Sequence, residues 1–282
     1  MTTGHASRRP AWMFWRRRTV VPALRLTGVI GSMPLRGQGL SLAALDNALR
    51  AAFSVKGAPA VALLLNSPGG SPVQSALIAE RIRRLADERQ RKVLCFVEDV
   101  AASGGYWLAT AADEIFVDAS SLVGSIGVVS AGFGFPEALA RLGVERRVHT
   151  TGESKMILDP FQPEKQSDLA ILAELQAEIH ERFKSEVRAR RGGRLQESRA
   201  EIFDGRVWTG RQALELGLVD GLGHAHSVIR ERYGKEAVLK VVNPGRGWLR
   251  RRLGMSGGEA VAMAQGALAA VEERALWQRF GL

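Results

Sequence analysis

Cysteine is almost missing from this chain of 282 residues: Cys95 stands alone. An internal disulfide is excluded, and Cys95, set in the apolar run Lys92-Val93-Leu94-Cys95-Phe96-Val97, reads as a buried structural thiol. Long hydrophobic runs are lacking too. No stretch approaches the roughly 18 apolar residues that a membrane-spanning helix needs. The N-terminal apolar pieces are split by Arg16-Arg17-Arg18, which leaves neither the apolar core of about 7–15 residues nor the cleavage site of a signal peptide. No clustered metal ligands, nucleotide-binding loop, zinc-finger or RNA-binding motif is apparent, so neither a metal nor another cofactor is expected, and no nucleic acid. A repeat of 20–50 residues is also absent.

What is present suits a globular protein. Apolar residues make up 46% and charged residues 24%, enough to build a substantial core with an ordinary surface. The net charge of +10 sits at the ends: residues 1–25 carry +6 and residues 244–282 carry +3, which leaves +1 for everything between. The N-terminal arginines alternate with Trp12 and Trp15, a mixture that suits an anionic lipid surface, so peripheral membrane contact through the basic tails is an expectation.

The body alternates short apolar runs with helical periodicity. Strands are expected at Leu26–Gly31, Ala60–Asn66, Lys92–Glu98, Glu114–Asp118, Ile126–Ser130 and Ala237–Val242. Helices are expected at Leu42–Phe53, Pro72–Glu88, Ser103–Ala112, Pro136–Leu142, Pro163–Arg191, Thr209–Leu216 (capped by Thr209) and Glu259–Phe280. This alternation implies an α/β fold with a mostly parallel sheet, whose chemistry collects in the loops that lead from strands into helices. Three segments follow: a basic, Trp/Arg-rich tail over 1–23, a folded domain over 24–243, and a basic linker with a C-terminal helix over 244–282.

Three polar, glycine-rich turns carry the chemistry: Asn66-Ser67-Pro68-Gly69-Gly70, Ala102-Ser103-Gly104-Gly105-Tyr106 and Gly124-Ser125-Ile126-Gly127. Ser103 is the candidate nucleophile, because it should open a helix and so gain free N–H groups and a favourable dipole. Ser125 is a rival nucleophile, but it is expected to lead into a strand and to serve better by orienting the base. A serine needs a base. His5 lies in the tail, His224 and His226 come late, and His180 reads as a surface residue of a polar helix. His149 remains as a rival to Lys155, which lies in Gly152-Glu153-Ser154-Lys155. A lysine can act as base only when neutral near pH 7, a state favoured by desolvation, and apolar Met156-Ile157-Leu158 and Pro160-Phe161 follow Lys155. The backbone N–H groups of Gly70 and Gly104 are candidate donors for an oxyanion, each such donor being worth about 2.7–4 kcal/mol in rate.

These motifs resemble the S49 peptidase family, the bacterial signal peptide peptidase A and SohB group within the ClpP/crotonase superfamily. The likeness extends through Trp208-Thr209-Gly210, Ala213, Gly217 and Leu218-Val219-Asp220, and covers roughly Leu24 to Val242. It implies a ClpP/crotonase-like fold with repeated β-β-α units. It also implies a Ser–Lys dyad of Ser103 and Lys155, acting as a serine endopeptidase on extended apolar peptides such as remnant signal peptides. A ring-like homo-oligomer is implied too, in which the lysine reaches the serine of a neighbouring subunit. The expected location is the bacterial cytoplasm, peripheral on the inner membrane if the tails bind lipid. The chain resembles the short form of the family, with one copy of the domain, and its C-terminal extension lies outside the pattern.

Other readings compete. A ClpP-like Ser-His-Asp peptidase would need a histidine where Val128 stands. A crotonase-like acyl-CoA enzyme would share the glycine-rich turns but would not need the paired serine and lysine. A non-catalytic ring-forming scaffold at the membrane surface would be free to lose Ser103, Ser125 or Lys155, and all three are here.

Overall fold

The computed structural model describes residues 18–31, 39–242 and 274–281. The chain runs through β1 (Val20–Thr27), α1 (Leu42–Phe53), β2 (Ala60–Ser67), α2 (Pro72–Arg89), β3 (Lys92–Ala102) and α3 (Gly104–Thr110). It continues through β4 (Glu114–Val117), β5 (Leu122–Gly124), α4 (Pro136–Arg141), a 3₁₀ turn (Glu153–Met156) and the long α5 (Gln166–Arg191). After a second 3₁₀ turn at Gly192–Arg194 come β6 (Val207–Thr209), α6 (Gly210–Glu215), β7 (Gly221–Leu222), α7 (Ala225–Tyr233) and β8 (Val238–Val241).

Among the described residues the strands form one sheet in the order β6-β5-β3-β2-β1-β8, with β4 beside β3 and β7 beside β4. Every pairing is parallel except that of β5 with β6. This is the α/β architecture with a mostly parallel sheet that the alternation implied, and it agrees with a ClpP/crotonase-like fold. Strands β2 and β3 are buried on both faces, which is why they read as nearly unbroken apolar runs. One face holds the larger core, where Leu63, Leu65, Val93 and Cys95 meet Leu49, Ile78, Ile82 and Leu108 from the helices. The other face is covered by α7, through Val228 and Ile229 on Leu94, Phe96 and Phe116.

Local chemistry explains several boundaries. Ser41 and Ser71 cap α1 and α2 with their hydroxyls, and Pro72 occupies the first turn of α2, where its missing N–H costs nothing. Thr209 and Gln212 form a reciprocal capping box at the start of α6. Strand β3 is long enough to serve two neighbours: Leu94 to Phe96 pair with β4, and Val100 to Ala102 pair with β5.

Three expectations need correction. β1 lies at Val20–Thr27 rather than Leu26–Gly31, so its opening residues Val20 to Ala23 fall in the stretch read as a tail. Ile126–Ser130 is not a strand; β5 ends at Gly124, Ser125 turns the chain at φ 51°, and the Gly127 N–H bonds back to the Ser125 carbonyl. Strands β6 and β7 and helix α7 were not anticipated. Of the C-terminal helix expected at Glu259–Phe280, residues 259–273 lie outside the described residues, and 274–278 are helical.

Candidate active site

The turn after β2 is tied down from both sides. Asn66 sends its side-chain amide to Asp99 at 2.6 Å and accepts the Val100 N–H at 3.1 Å, while its carbonyl accepts the Gly28 N–H at 3.0 Å. Beyond it, Ile30 receives the Ser71 N–H and donates to the Gly69 carbonyl, both at 2.8 Å. The Gly70 N–H is left with no backbone or side-chain acceptor among the described residues. Gly69 and Gly70 adopt φ +110° and +139°, where any side chain would be strained.

Ser103 sits between the end of β3 and the start of α3, with φ 52° and ψ −123°. A non-glycine residue in that region costs about 1–3 kcal/mol and has to be held there by its surroundings. The holding bonds are Ser103 N–H to the Gly124 carbonyl at 2.8 Å and Trp107 N–H to the Ser103 carbonyl at 3.1 Å. Its hydroxyl makes no capping bond to α3 and is half-buried. The Gly104 N–H, in the first turn of α3, also has no acceptor among the described residues, as the geometry of a helix start requires.

These pieces crowd together. A Cβ on Gly69 would lie 2.8 Å from the Ser103 Cβ, and one on Gly104 would lie 3.5 Å from the Gly70 nitrogen and 2.4 Å from the Ser75 Oγ. A Cβ on Gly105 would lie 2.5 Å from the Ser67 carbonyl oxygen. The glycines are thus required for close packing of backbone on backbone. The arrangement gathers a half-buried hydroxyl and two N–H groups without an acceptor among the described residues, which is what acyl transfer through an oxyanion asks for.

Ser125 emerges from β5 beside Ser103, half-buried, with its N–H donated to the Arg206 carbonyl at 2.7 Å. Lys155 is exposed, on the 3₁₀ turn that follows Gly152 at φ 95°. Among the described residues no hydrogen bond joins Lys155 to Ser103 or Ser125. The apolar residues after it are only partly covered: Met156 is exposed, and Ile157 and Leu158 are half-buried. His149 is exposed as well. Around this loop a small aromatic cluster of Phe133, Phe135 and Phe161 is topped by Arg146 over the Phe161 ring at 4.9 Å.

His180 was read as a surface residue, but it is half-buried with its Nε2 3.0 Å from the Ile126 carbonyl oxygen. Nothing local in a polar helix signals that contact. Tyr106, which the sequence offers only within the Ser103 motif, has a buried hydroxyl that donates to the Leu218 carbonyl at 2.7 Å and ties α3 to the turn before β7. A cavity of about 580 Å³ opens on the α7 side of the sheet, lined by Arg25, Phe96, Glu98, Asp118, His224 and Phe280 among others, and none of the candidate site residues lines it. No group of three or more His, Cys, Asp or Glu side chains among the described residues is placed to hold a metal ion.

Comparison with known proteins gives relatives of two kinds. Over 275 residues the chain is 52% identical to a Brucella abortus protein named Na(+)/H(+) antiporter NhaA, a match covering 94% of this chain and 37% of that protein. It is 32% identical over 178 residues to the putative signal peptide peptidase SppA of Enterococcus faecium, covering 62% of this chain and 50% of the relative. It is 30% identical over 203 residues to the chloroplastic serine protease SPPA of Arabidopsis thaliana, covering 70% and 29%. The chain therefore spans half or less of the length of each of these relatives. Transport, which the Brucella name states, is not carried to this chain, because most of that protein lies outside the match and no helix among the described residues is long and apolar enough to cross a membrane. The model of peptidase family S49 matches residues 86–238, a stretch that includes Ser103, Ser125 and Lys155 and spans more than half of the sequence, and the chain belongs to that family.

Proposed function

We propose that this chain is a serine endopeptidase in which Ser103 attacks the scissile carbonyl and Lys155 is the general base. The observation that carries this reading is the geometry of Ser103, forced to φ 52° at the head of α3, with a hydroxyl not spent on capping, and with the N–H groups of Gly70 and Gly104, which find no acceptor among the described residues, on closely packed turns beside it. Those two N–H groups stabilise the oxyanion of the tetrahedral intermediate. Ser125, leaving the neighbouring strand, orients the lysine amine. The names of the Enterococcus and Arabidopsis relatives, a signal peptide peptidase and a serine protease, support the same reaction.

Lysine as a base requires burial away from water, and Lys155 is exposed in the single chain. A second copy supplies what is missing. Val129, Phe133, Leu142 and Val144 are 68%, 83%, 76% and 51% exposed, and Phe133 packs through Phe135 onto Phe161 at the end of the Lys155 loop; exposed apolar surface of this kind marks an interface. A homo-oligomeric ring would cover it and bring the lysine of one subunit to the serine of the next. The substrates that suit such an enclosed site are extended apolar peptides, remnant signal peptides among them. The basic tails add peripheral contact with an anionic membrane.

The test is hydrolysis of a fluorogenic apolar peptide by wild type, Ser103→Ala, Lys155→Ala and a mixture of the two variants. Loss of activity in each variant with partial recovery in the mixture supports a dyad shared between subunits. Full activity in Lys155→Ala sinks the lysine base, and full activity in Ser103→Ala sinks the nucleophile.

A further inference from the structure

One face of α5 braces both candidate catalytic elements. Phe183 stacks on Trp107 of α3 with ring centroids 4.8 Å apart and planes 12° from parallel. Val187 is fully buried in the same core. Arg190 donates to the Thr110 and Ala112 carbonyls, at 2.8 and 3.1 Å, where α3 ends. His180, one turn before Phe183, reaches the Ile126 carbonyl at 3.0 Å. Positions 180, 183, 187 and 190 recur every three or four residues and so share one face of the helix. Phe183 and Arg190 hold α3, the helix that Ser103 opens. His180 holds the other serine's turn.

That turn has little else to fix it. After β5 ends at Gly124, the backbone bonds are Ser125 N–H to Arg206 and Gly127 N–H to Ser125, and residues 128–134 make no backbone hydrogen bond among the described residues. The Ile126 side chain is buried, and the Gly127 N–H bond to the Ser125 carbonyl at 2.9 Å holds the donor side of the peptide after it, so His180 holds the acceptor side. A carbonyl only accepts, so the His180 ring must donate through Nε2. That bond survives whether the ring is neutral with its proton on Nε2 or doubly protonated.

We propose that His180 is a positioning residue: by holding the Ile126 carbonyl it fixes where Ser125 stands relative to Ser103. This rests on the reading of Ser103 and Ser125 given above. Among the described residues His180 makes no hydrogen bond to Ser103 or Ser125. It acts through the peptide that follows Ser125, while Phe183 sets α3 from the same rigid helix, so the spacing of the two serine turns is referred to one element.

The experiment compares full-length wild type, His180→Phe and His180→Gln. Phenylalanine keeps an aromatic ring but cannot donate, whereas glutamine restores a donor. The expected result is a fall in kcat of about tenfold in His180→Phe, the size of one lost hydrogen bond, with KM within about twofold of wild type. Glutamine recovers most of it. Amide exchange at residues 125–128 speeds up in His180→Phe and not in His180→Gln, while exchange across α3 and the melting temperature stay at wild-type values. Equal behaviour of the two variants, or unchanged exchange at 125–128 in His180→Phe, overturns the proposal. Should Ser103→Ala retain activity, the nucleophile reading fails by itself, and the exchange data still decide whether His180 holds the turn.

Discussion

Ser103 and Ser125 leave adjacent parallel strands at the same level, joined by a hydrogen bond from the Ser103 N–H to the carbonyl of Gly124 at 2.8 Å. Ala102 of β3 is the register partner of Gly124 of β5, so the next residue on each strand is a serine. Both take positive φ, 52° and 51°. Strands that run side by side would normally keep going or diverge into helices. Here each stops on a strained residue, and the strain turns both hydroxyl-bearing residues out of the ladder at one place.

That strain is measurable. In Ser103→Gly the backbone conformation becomes cheap, offset in part by the greater freedom glycine has when unfolded. The expected outcome is an inactive protein about 1 kcal/mol more stable than Ser103→Ala, seen as a melting temperature roughly 3 °C higher. Equal melting temperatures for the two variants would mean that Ser103 is not strained.

Gly69 packs against Ser103 so closely that a methyl group would sit 2.8 Å from the Ser103 Cβ and 2.9 Å from the Ala102 carbonyl oxygen, at a backbone φ of +110°. Gly69→Ala must therefore push the serine turn away from the Gly69-Gly70 turn. Displacements of about 1 Å at a reacting centre cost on the order of 10²-fold, and a loss of that order in kcat is expected, larger than the change in KM. Steady-state kinetics on a fluorogenic peptide check it, and wild-type kcat would remove Gly69 from the argument.

How much of this could be read beforehand differs element by element. Helix α1 falls at Leu42–Phe53 in sequence and structure alike, because Ser41 caps it and its apolar positions keep helical spacing. β1 starts earlier than expected because the arginines around Val20 to Ala23 read as a basic tail, and the pairing of these residues with Val238 to Val241, and of Ala23 with Ala62, makes them a strand. The glycine-rich motifs pointed to Ser103, Gly70 and Gly104. They could not say that Ser103 itself carries the strained φ, which follows from the Gly69 contact and the Gly124 bond. His180 was illegible because its partner, the Ile126 carbonyl, is 54 residues away and is a backbone atom of no particular residue type.

Cys95 lies at 0% exposure in the middle of β3, and burial pushes its thiol well above the ordinary range. The thiolate is the reactive form, so the folded protein should not react with a thiol-specific reagent at pH 8, while the unfolded protein should take up one equivalent. Rapid labelling of the native protein would show that β3 opens far more readily than its burial implies.

Asp220 closes the network behind the Ser103 helix, and its protonation should be visible in stability. Its carboxylate accepts from Arg191 at 2.7 and 3.0 Å, from Arg194 at 2.9 Å and from the Ile115 N–H at 2.8 Å. Burial alone would raise its pKa, but the Arg191 hydrogen bond and charge, with help from Ile115 and Arg194, outweigh it and hold the carboxyl below the usual carboxylate range. A depressed carboxylate stabilises the fold in full above the unfolded value of about 3.9. The contribution fades as pH falls below that point and is gone once pH passes under the folded value. Asp220→Asn leaves Arg191, which is 2% exposed, without its counter-charge, a loss of about 3–5 kcal/mol for a buried pair. Chemical denaturation of wild type and Asp220→Asn should therefore differ by a constant amount from about pH 5 to pH 7 and converge below about pH 4. A difference that stays constant down to pH 3 would mean that the Asp220 charge contributes nothing, and that the variant is weakened only by altered packing.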